Sequence, residues 1–278
     1  MKTALCITGC LVLACAALAH AEPAAIEPCA PPGDGMPTGP GQRALHDGGL
    51  GVPRRVCART EVAIGGEGYA VIEPSEFYGN LRVAAPLAAS VALSDETELF
   101  GALEVVRYQT VISSFEAEQL GLGDLALGAT HAPWGDGKWK AGLTGRLVLP
   151  TASSRYDEVW PFGSDAGFAI AYGLHPRLLL HAQSGGLVTV VVGSGGAHPR
   201  GAWVTTSGLA FRPWSWFSLV LDAHTELGYA ALLDVFAIGP ALRFAIGARL
   251  GAELGAMFPI AGRERALAAA GLRLNMRL

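Results

Sequence analysis

Charge is what this sequence has least of. Only 16% of its 278 residues are Asp, Glu, Lys or Arg, where soluble domains carry about 25%. A water-facing globule is therefore a poor fit. Lysine is almost absent: Lys2, Lys138 and Lys140 are the only lysines among 20 basic residues, a bias that reads as genome composition. A formal net charge of −4 gives no footing to a nucleic-acid partner. Beyond the N-terminus there is no run of roughly 20 nearly uncharged apolar residues, which excludes a helical membrane protein. Disorder is excluded as well, because disordered chains are poor in hydrophobes and this one is 51% hydrophobic. What remains is apolar and rich in glycine, at 37 residues. A charge-poor, Gly-rich, apolar chain without transmembrane helices points to a membrane β-barrel.

The N-terminus predicts export. Lys2 supplies a positive start, Thr3 to Leu18 are largely apolar, and Ala19-His20-Ala21 forms an A-x-A cleavage site before Glu22. A lipoprotein leader is the competing reading. Ile7-Thr8-Gly9-Cys10 leaves too short an apolar stretch for it, and Val12-Leu13-Ala14-Cys15 strands Ala16 to Ala19 in the mature chain. Cleavage after residue 21 removes three of the 5 cysteines and leaves Cys29 and Cys57. In an oxidising compartment the two can close one disulfide; two free thiols is the other reading. Residues 22–54 hold breakers such as Pro31-Pro32-Gly33 and Pro37-Thr38-Gly39-Pro40-Gly41 without periodicity, so a flexible periplasmic segment is expected. A plug within the barrel is the alternative, although little apolar surface is present to hold it. Residues 55–278 are expected to be the barrel.

The period from there on is two. Ala270, Leu272, Leu274, Met276 and Leu278 alternate with Gly271, Arg273, Asn275 and Arg277. A helix would mix these sets around its circumference, whereas a strand separates them. Upstream, Phe217, Leu219, Leu221 and Leu227 oppose Ser218, Asp222, His224 and Glu226, and Leu242 and Phe244 oppose Ala241 and Arg243. Segments of this kind lie at 57–72, 77–93, 97–111, 120–133, 139–152, 166–175, 177–192, 201–212, 215–228, 234–247, 248–260 and 266–278. The expected fold is thus all-β: an antiparallel transmembrane barrel of about 12 strands, an even number as in single-chain bacterial barrels. Short links such as Ser94-Asp95-Glu96, Gly135-Asp136-Gly137, His175-Pro176, Arg212-Pro213 and Gly247-Ala248 read as periplasmic turns. Longer links at 112–119, 153–165, 193–200 and 260–265 read as extracellular loops. Aromatics near strand ends, among them Trp134, Trp139, Trp214, Trp216 and Phe217, fit interfacial girdles. A soluble sandwich is the weaker reading, since its outer faces would need more charge.

Two segments carry a resemblance. Gly121-Leu122-Gly123-Asp124-Leu125-Ala126-Leu127-Gly128 and, one hairpin later, Arg146-Leu147-Val148-Leu149-Pro150-Thr151 resemble the G-D-L-x-L-G strand and L-P-T strand end of the "MetA-pathway of phenol degradation" outer-membrane barrels. The turns at 93–99 and 172–178 are also similar. The likeness covers about residues 90–278 and implies a bacterial outer-membrane transporter for small, hydrophobic or aromatic molecules. The chain departs from the usual barrel-insertion signal by ending on Leu278 instead of an aromatic residue. The C-terminal strand is still where the insertion machinery would engage, with the outer-membrane bilayer as the other partner.

Strand parity assigns Arg82, Glu104, Asp124, Lys140, Arg146, His181, Asp222, His224, Glu226, Arg243, Glu253, Arg273 and Arg277 to the inner face. Mixed charges among small residues would line a wet passage for an unknown small solute; a lumen closed by ion pairs across its middle is the rival reading. Asp222, His224 and Glu226 are metal-ligand types on one face, but same-face neighbours stand almost 7 Å apart along a strand, so no metal or other cofactor is expected. His181-Ala182-Gln183-Ser184 resembles the H-x-S run of the outer-membrane phospholipase. Its spacing of three turns His181 and Ser184 to opposite faces, and a nucleophile needs its base within hydrogen-bond reach. No enzyme is expected. A barrel that displays loops, the longest running from Ala152 to Asp165, is the remaining class.

Overall fold

The structure, a computed structural model, describes residues 56–73, 78–112, 117–151, 160–193, 196–228, 232–246, 249–262 and 266–278. The expected leader, the segment 22–54 and Cys29 lie outside the described residues. The strand segments are β1 (Glu61–Glu73), β2 (Tyr78–Ala92), β3 (Thr97–Ile112), β4 (Ala117–Gly121), β5 (Leu125–Gly135), β6 (Trp139–Leu149), β7 (Trp160–His175), β8 (Leu178–Gly193), β9 (Gly196–Trp214), β10 (Phe217–Leu227), β11 (Leu233–Ile246), β12 (Leu250–Ala261) and β13 (Ala266–Arg277). Each pairs antiparallel with its neighbours, and β1 pairs with both β2 and β13. The sheet is therefore a closed ring. Closure leaves no edge, which is the condition for a sheet to cross hydrocarbon.

The expected strand at 120–133 is two pieces of one stave. β4 pairs with β3 from Arg107↔Gly121 to Val111↔Ala117, and β5 pairs with the same strand from Thr97↔His131 to Leu103↔Leu125. Counted as staves, the barrel has twelve. At the break, the Gly123 amide donates to the Glu104 carbonyl at 2.8 Å. The Glu104 side chain lies where a Cβ on residue 123 would project, so this crossing needs glycine.

Short links at 93–96, 136–138, 176–177 and 215–216 occupy one end; β11 and β12 pair there up to Ile246↔Leu250, and the expected Gly247-Ala248 turn lies outside the described residues. Both ends of the ring meet there too, the Leu278 amide donating to the Thr60 carbonyl at 3.1 Å. The ladders run further than the sequence suggests. β8 and β9 pair up to Gly193↔Gly196, so 196–200 is strand and not loop. His198-Pro199-Arg200 reads as breaker-rich, yet the ladder continues past Pro199 to Gly196, whose φ is 107°. β7 likewise starts at Trp160, and its pairing with β8 absorbs the end of the expected 153–165 loop. The β9–β10 turn is Ser215-Trp216, not Arg212-Pro213, because Pro213 needs no ladder donor and tolerates a strand end.

The outer surface is apolar along its whole circumference. Ile64, Leu87, Leu99, Leu143, Leu147, Val188, Leu221, Leu254 and Leu274 are all exposed. In water that belt would be far beyond the few hundred Å² a monomer tolerates. In a bilayer it is the lipid-facing band. Among the described residues no second sheet covers it, so the sandwich reading fails. Near the short turns the rings gather: Trp214 stacks on Trp216 at 5.6 Å, and Phe217 meets Phe244 at 5.3 Å. Trp134 and Phe168 form a further pair at 6.2 Å. Amphipathic rings at that depth suit the membrane interface.

Candidate functional site

The inner wall holds the charge. Arg82, Glu104, Asp124, Arg146, His181, Asp222, His224, Glu226 and Arg243 are buried inside the ring. Glu253 and Arg273 are half-buried on the same face and pair in register, Glu253 opposite both Arg243 and Arg273. Lys140 sits differently: its ammonium donates to the Asp95 carbonyl at 2.7 Å on the exposed turn end. Cys57 is buried and disulfide-bonded.

Four groups of side chains divide the wall. On β2, β3 and the break before β5, Arg82 pairs with Glu104, Arg107 reaches Glu104 at 2.5 Å, and Arg107 reaches Asp124 at 2.7 Å. On β6 and β7, Arg146 meets Asp165 at 2.5 Å. On β8–β10, His181 Nε2 donates to Asp222 Oδ1 at 2.6 Å and His224 Nε2 donates to Glu226 Oε1 at 2.7 Å. His224 Nδ1 lies 2.8 Å from Thr206 Oγ1. On β11 and β12, Arg243 Nε donates to Glu253 Oε2 at 2.7 Å.

Two members of this network escape a parity reading. Arg107 stands three residues from Glu104 and should face lipid. A register shift between Ala85 and Pro86 on the paired strand sets the two on one face instead. Pro86 inside a strand is the readable sign, since proline in a sheet marks an edge or a bulge. Asp165 was hidden because its residues read as loop. Buried Glu61, Glu98, Thr206 and Asp234 were also missed.

The two family-like motifs meet in space. Thr151 donates its hydroxyl to the Gly123 carbonyl at 3.1 Å, while neighbouring Asp124 holds Arg107. They thus brace the broken stave against β6 and anchor one end of the charged wall.

His181 reaches Asp222 over a glycine. Gly208 of β9 lies between them in register, and a Cβ there would intrude on both side chains. Gly208→Ala is expected to destabilise the barrel by about 1–3 kcal/mol, the usual cost of overpacking. Urea unfolding of the refolded barrel measures it. A shift below about 0.5 kcal/mol, the range of an ordinary surface change, would show the pair to be loose.

Asp222, His224 and Glu226 do not converge, since Asp222 serves His181 and His224 serves Glu226. Among the described residues no group of three or more His, Cys, Asp or Glu could hold a metal ion. His181 and Ser184 face opposite sides: the Ser184 hydroxyl lies 2.8 Å from Thr205 Oγ1 and accepts from Trp203 Nε1 at 2.9 Å. They form no nucleophile–base pair.

The lumen also holds a piece of chain. Val56 and Cys57 are buried in one apolar cluster with inward residues of β5 and β7–β11, including Leu179, Ala210, Val220 and Ala241. A cavity of about 460 Å³ lies beside this segment at the turn end, between Arg59, the β2–β3 turn and Trp134, Trp139 and Lys140.

A closed ring of twelve antiparallel staves, apolar outside and charged inside, is the fold of the transmembrane β-barrels of bacterial outer membranes. Among solved structures the chain is similar to an outer-membrane channel from Pseudomonas putida F1, at TM-score 0.62 and 13% identity, covering 80% of this chain and 96% of that one. It is also similar to the β domain of the Bordetella autotransporter Brka, at TM-score 0.53 and 11% identity over 80% and 100% of the two chains. The translocator domain of the autotransporter NalP from Neisseria meningitidis follows at TM-score 0.51 and 10% identity over 80% and 89%. The sequence matches no protein-family model and no curated protein.

Proposed function

We propose that this barrel is a passive outer-membrane channel for small molecules. The fold alone does not decide it, because autotransporter translocators share that fold. One observation favours a passage over a closed lumen: the ion pairs described above run around the wall and not across it. Arg82–Glu104, Arg146–Asp165 and Arg243–Glu253 join neighbouring strands, His224–Glu226 lies within one strand, and His181–Asp222 spans a single stave. None of these pairs ties one side of the ring to the opposite side. Twelve staves also fall between barrels filled by side chains and wide aqueous porins. Arg82, Glu104, Asp124, Arg146, His181, Asp222, His224, Glu226, Arg243, Glu253 and Arg273 are then the pathway lining. The similarity to a Pseudomonas outer-membrane channel supports the reading. The G-D-L-x-L-G and L-P-T resemblance suggests hydrophobic or aromatic solutes.

The test is planar-bilayer recording of the refolded full-length chain, with solute efflux from proteoliposomes beside it. Step currents and efflux above protein-free vesicles are expected. Silence both from the full chain and from one whose lumenal segment has been dislodged would overturn the reading in favour of a structural barrel.

A further inference from the structure

Charge is spread unevenly around the short-turn end of the ring. Over the arc from β1 to β6 the two signs mix. Asp95 and Glu96 stand in one link, Asp136 and Lys138 in the next, and Lys140 donates to the Asp95 carbonyl. From the β7–β8 link round to the end of β13, the described residues of that end carry no Asp or Glu side chain. They carry four arginines instead: Arg177, Arg212, Arg249 and Arg277.

These arginines stand in pairs. The β8–β9 ladder runs down to Leu178↔Phe211, and one step further the Arg212 amide donates to the Arg177 carbonyl at 2.8 Å. The β12–β13 ladder runs to Leu250↔Met276, and one step further the Arg277 amide donates to the Arg249 carbonyl at 2.8 Å. Like charges set opposite each other across a ladder cost stability. Arg277 has Glu61 opposite it on β1, but Arg177 and Arg249 immediately precede β8 and β12 and are exposed. An anion at that surface relieves both repulsions. Between the two pairs lie Trp214 and Trp216, 57% and 51% exposed, stacked on each other and packed against Phe217 and Phe244. Such rings sit at headgroup level, so the arginines beside them emerge among the headgroups. A guanidinium grips a phosphate through two parallel N–H bonds.

We propose that this arc binds anionic glycerophospholipids of the periplasmic leaflet. Arg177 and Arg249 hold the headgroup phosphates, and Trp214 and Trp216 carry the lipid below them. The short links are the periplasmic end of such barrels, where the facing leaflet is phospholipid. An anionic headgroup is favoured over a zwitterionic one, because the latter brings an ammonium that the paired guanidinium groups repel. The inference is independent of the channel reading and needs only a barrel that crosses the outer membrane.

The test is native mass spectrometry of the refolded full-length protein, released from micelles holding equal amounts of phosphatidylglycerol and phosphatidylethanolamine with the same acyl chains. The parent is expected to retain phosphatidylglycerol over phosphatidylethanolamine by about five-fold, the worth of roughly one basic residue at an anionic surface. Arg177→Gln combined with Arg249→Gln is expected to bring the two lipids near parity. Lys138→Gln, on the mixed-charge arc, is expected to keep the parent's ratio. The two single arginine variants are run as well in case the double variant fails to refold, with heat-modifiable gel mobility reporting barrel formation. A partial loss of preference in either single variant supports the site. Parity already in the parent would overturn it and leave the arginines to an acidic protein surface. A preference that survives unchanged in the folded arginine variants, or that Lys138→Gln removes equally, would overturn it too.

Discussion

Leu221→Arg destabilises the membrane-inserted barrel by about 2–4 kcal/mol, while Trp216→Arg costs about 0–1 kcal/mol; these are the ranges for arginine on a lipid-facing strand at mid-bilayer and at the interface. Leu221 lies midway along β10 and is 48% exposed, with no protein outside it. Trp216 is exposed as well, but it sits in the short β9–β10 turn among Trp214, Phe217 and Phe244. The two positions share exposure and differ in depth, and because Trp216 also loses ring contacts, a smaller loss there than at Leu221 can only come from the bilayer. Equilibrium unfolding from lipid vesicles in guanidinium, followed by tryptophan fluorescence, measures both, with a Trp216→Phe control for the lost fluorophore. Equal small losses at the two sites would mean that the apolar belt does not face hydrocarbon. Asp222 sharpens the contrast, being charged, adjacent to Leu221 and turned inward, where His181 receives it.

That one-residue alternation is why so much of the barrel was legible. A strand reverses its side chain at every step, so Leu219 and Leu221 against Asp222, His224 and Glu226 declare two faces without any knowledge of the neighbours. Parity fails where the backbone slips. The shift opposite Pro86 puts Arg107 beside Glu104, and sequence spacing alone sends it to the wrong side. The break at Leu122–Asp124 was hidden for a related reason, because its cause is the Glu104 side chain, eighteen or more residues away. The extended β8–β9 hairpin was lost to local breaker residues that a long ladder overrides. Least legible was the seat of Val56 and Cys57. Two apolar residues beside a Pro- and Gly-rich stretch carry no period, and their partners come together only after six strands have been placed. Pairing among the charges was likewise out of reach: composition gives both signs, but only the register shows that they join along the wall.

Glu104→Ala should be the most damaging single change inside the ring, at about 3 kcal/mol, the lower end for breaking a buried ion pair by removing one partner. Its carboxylate serves two guanidinium groups, Arg82 through Oε1 and Arg107 through Oε2, and its side chain is 7% exposed. Removing it leaves two arginines competing for what remains of the cluster, with Arg107 still held by Asp124. Glu104→Gln separates the contributions, since it keeps the volume over Gly123 and one acceptor but loses the charge. Arg82→Met combined with Glu104→Met is expected to cost less than Glu104→Ala alone, because both charges leave together and the site stays filled. Chemical unfolding of the three variants in vesicles gives the ordering. If Glu104→Ala falls below about 1 kcal/mol, the value of a solvent-exposed pair, then water reaches the cluster freely and the lumen at this level is wide. A large loss places the cluster on a dry, tightly packed wall, like the still more deeply buried His181–Asp222 and His224–Glu226 pairs.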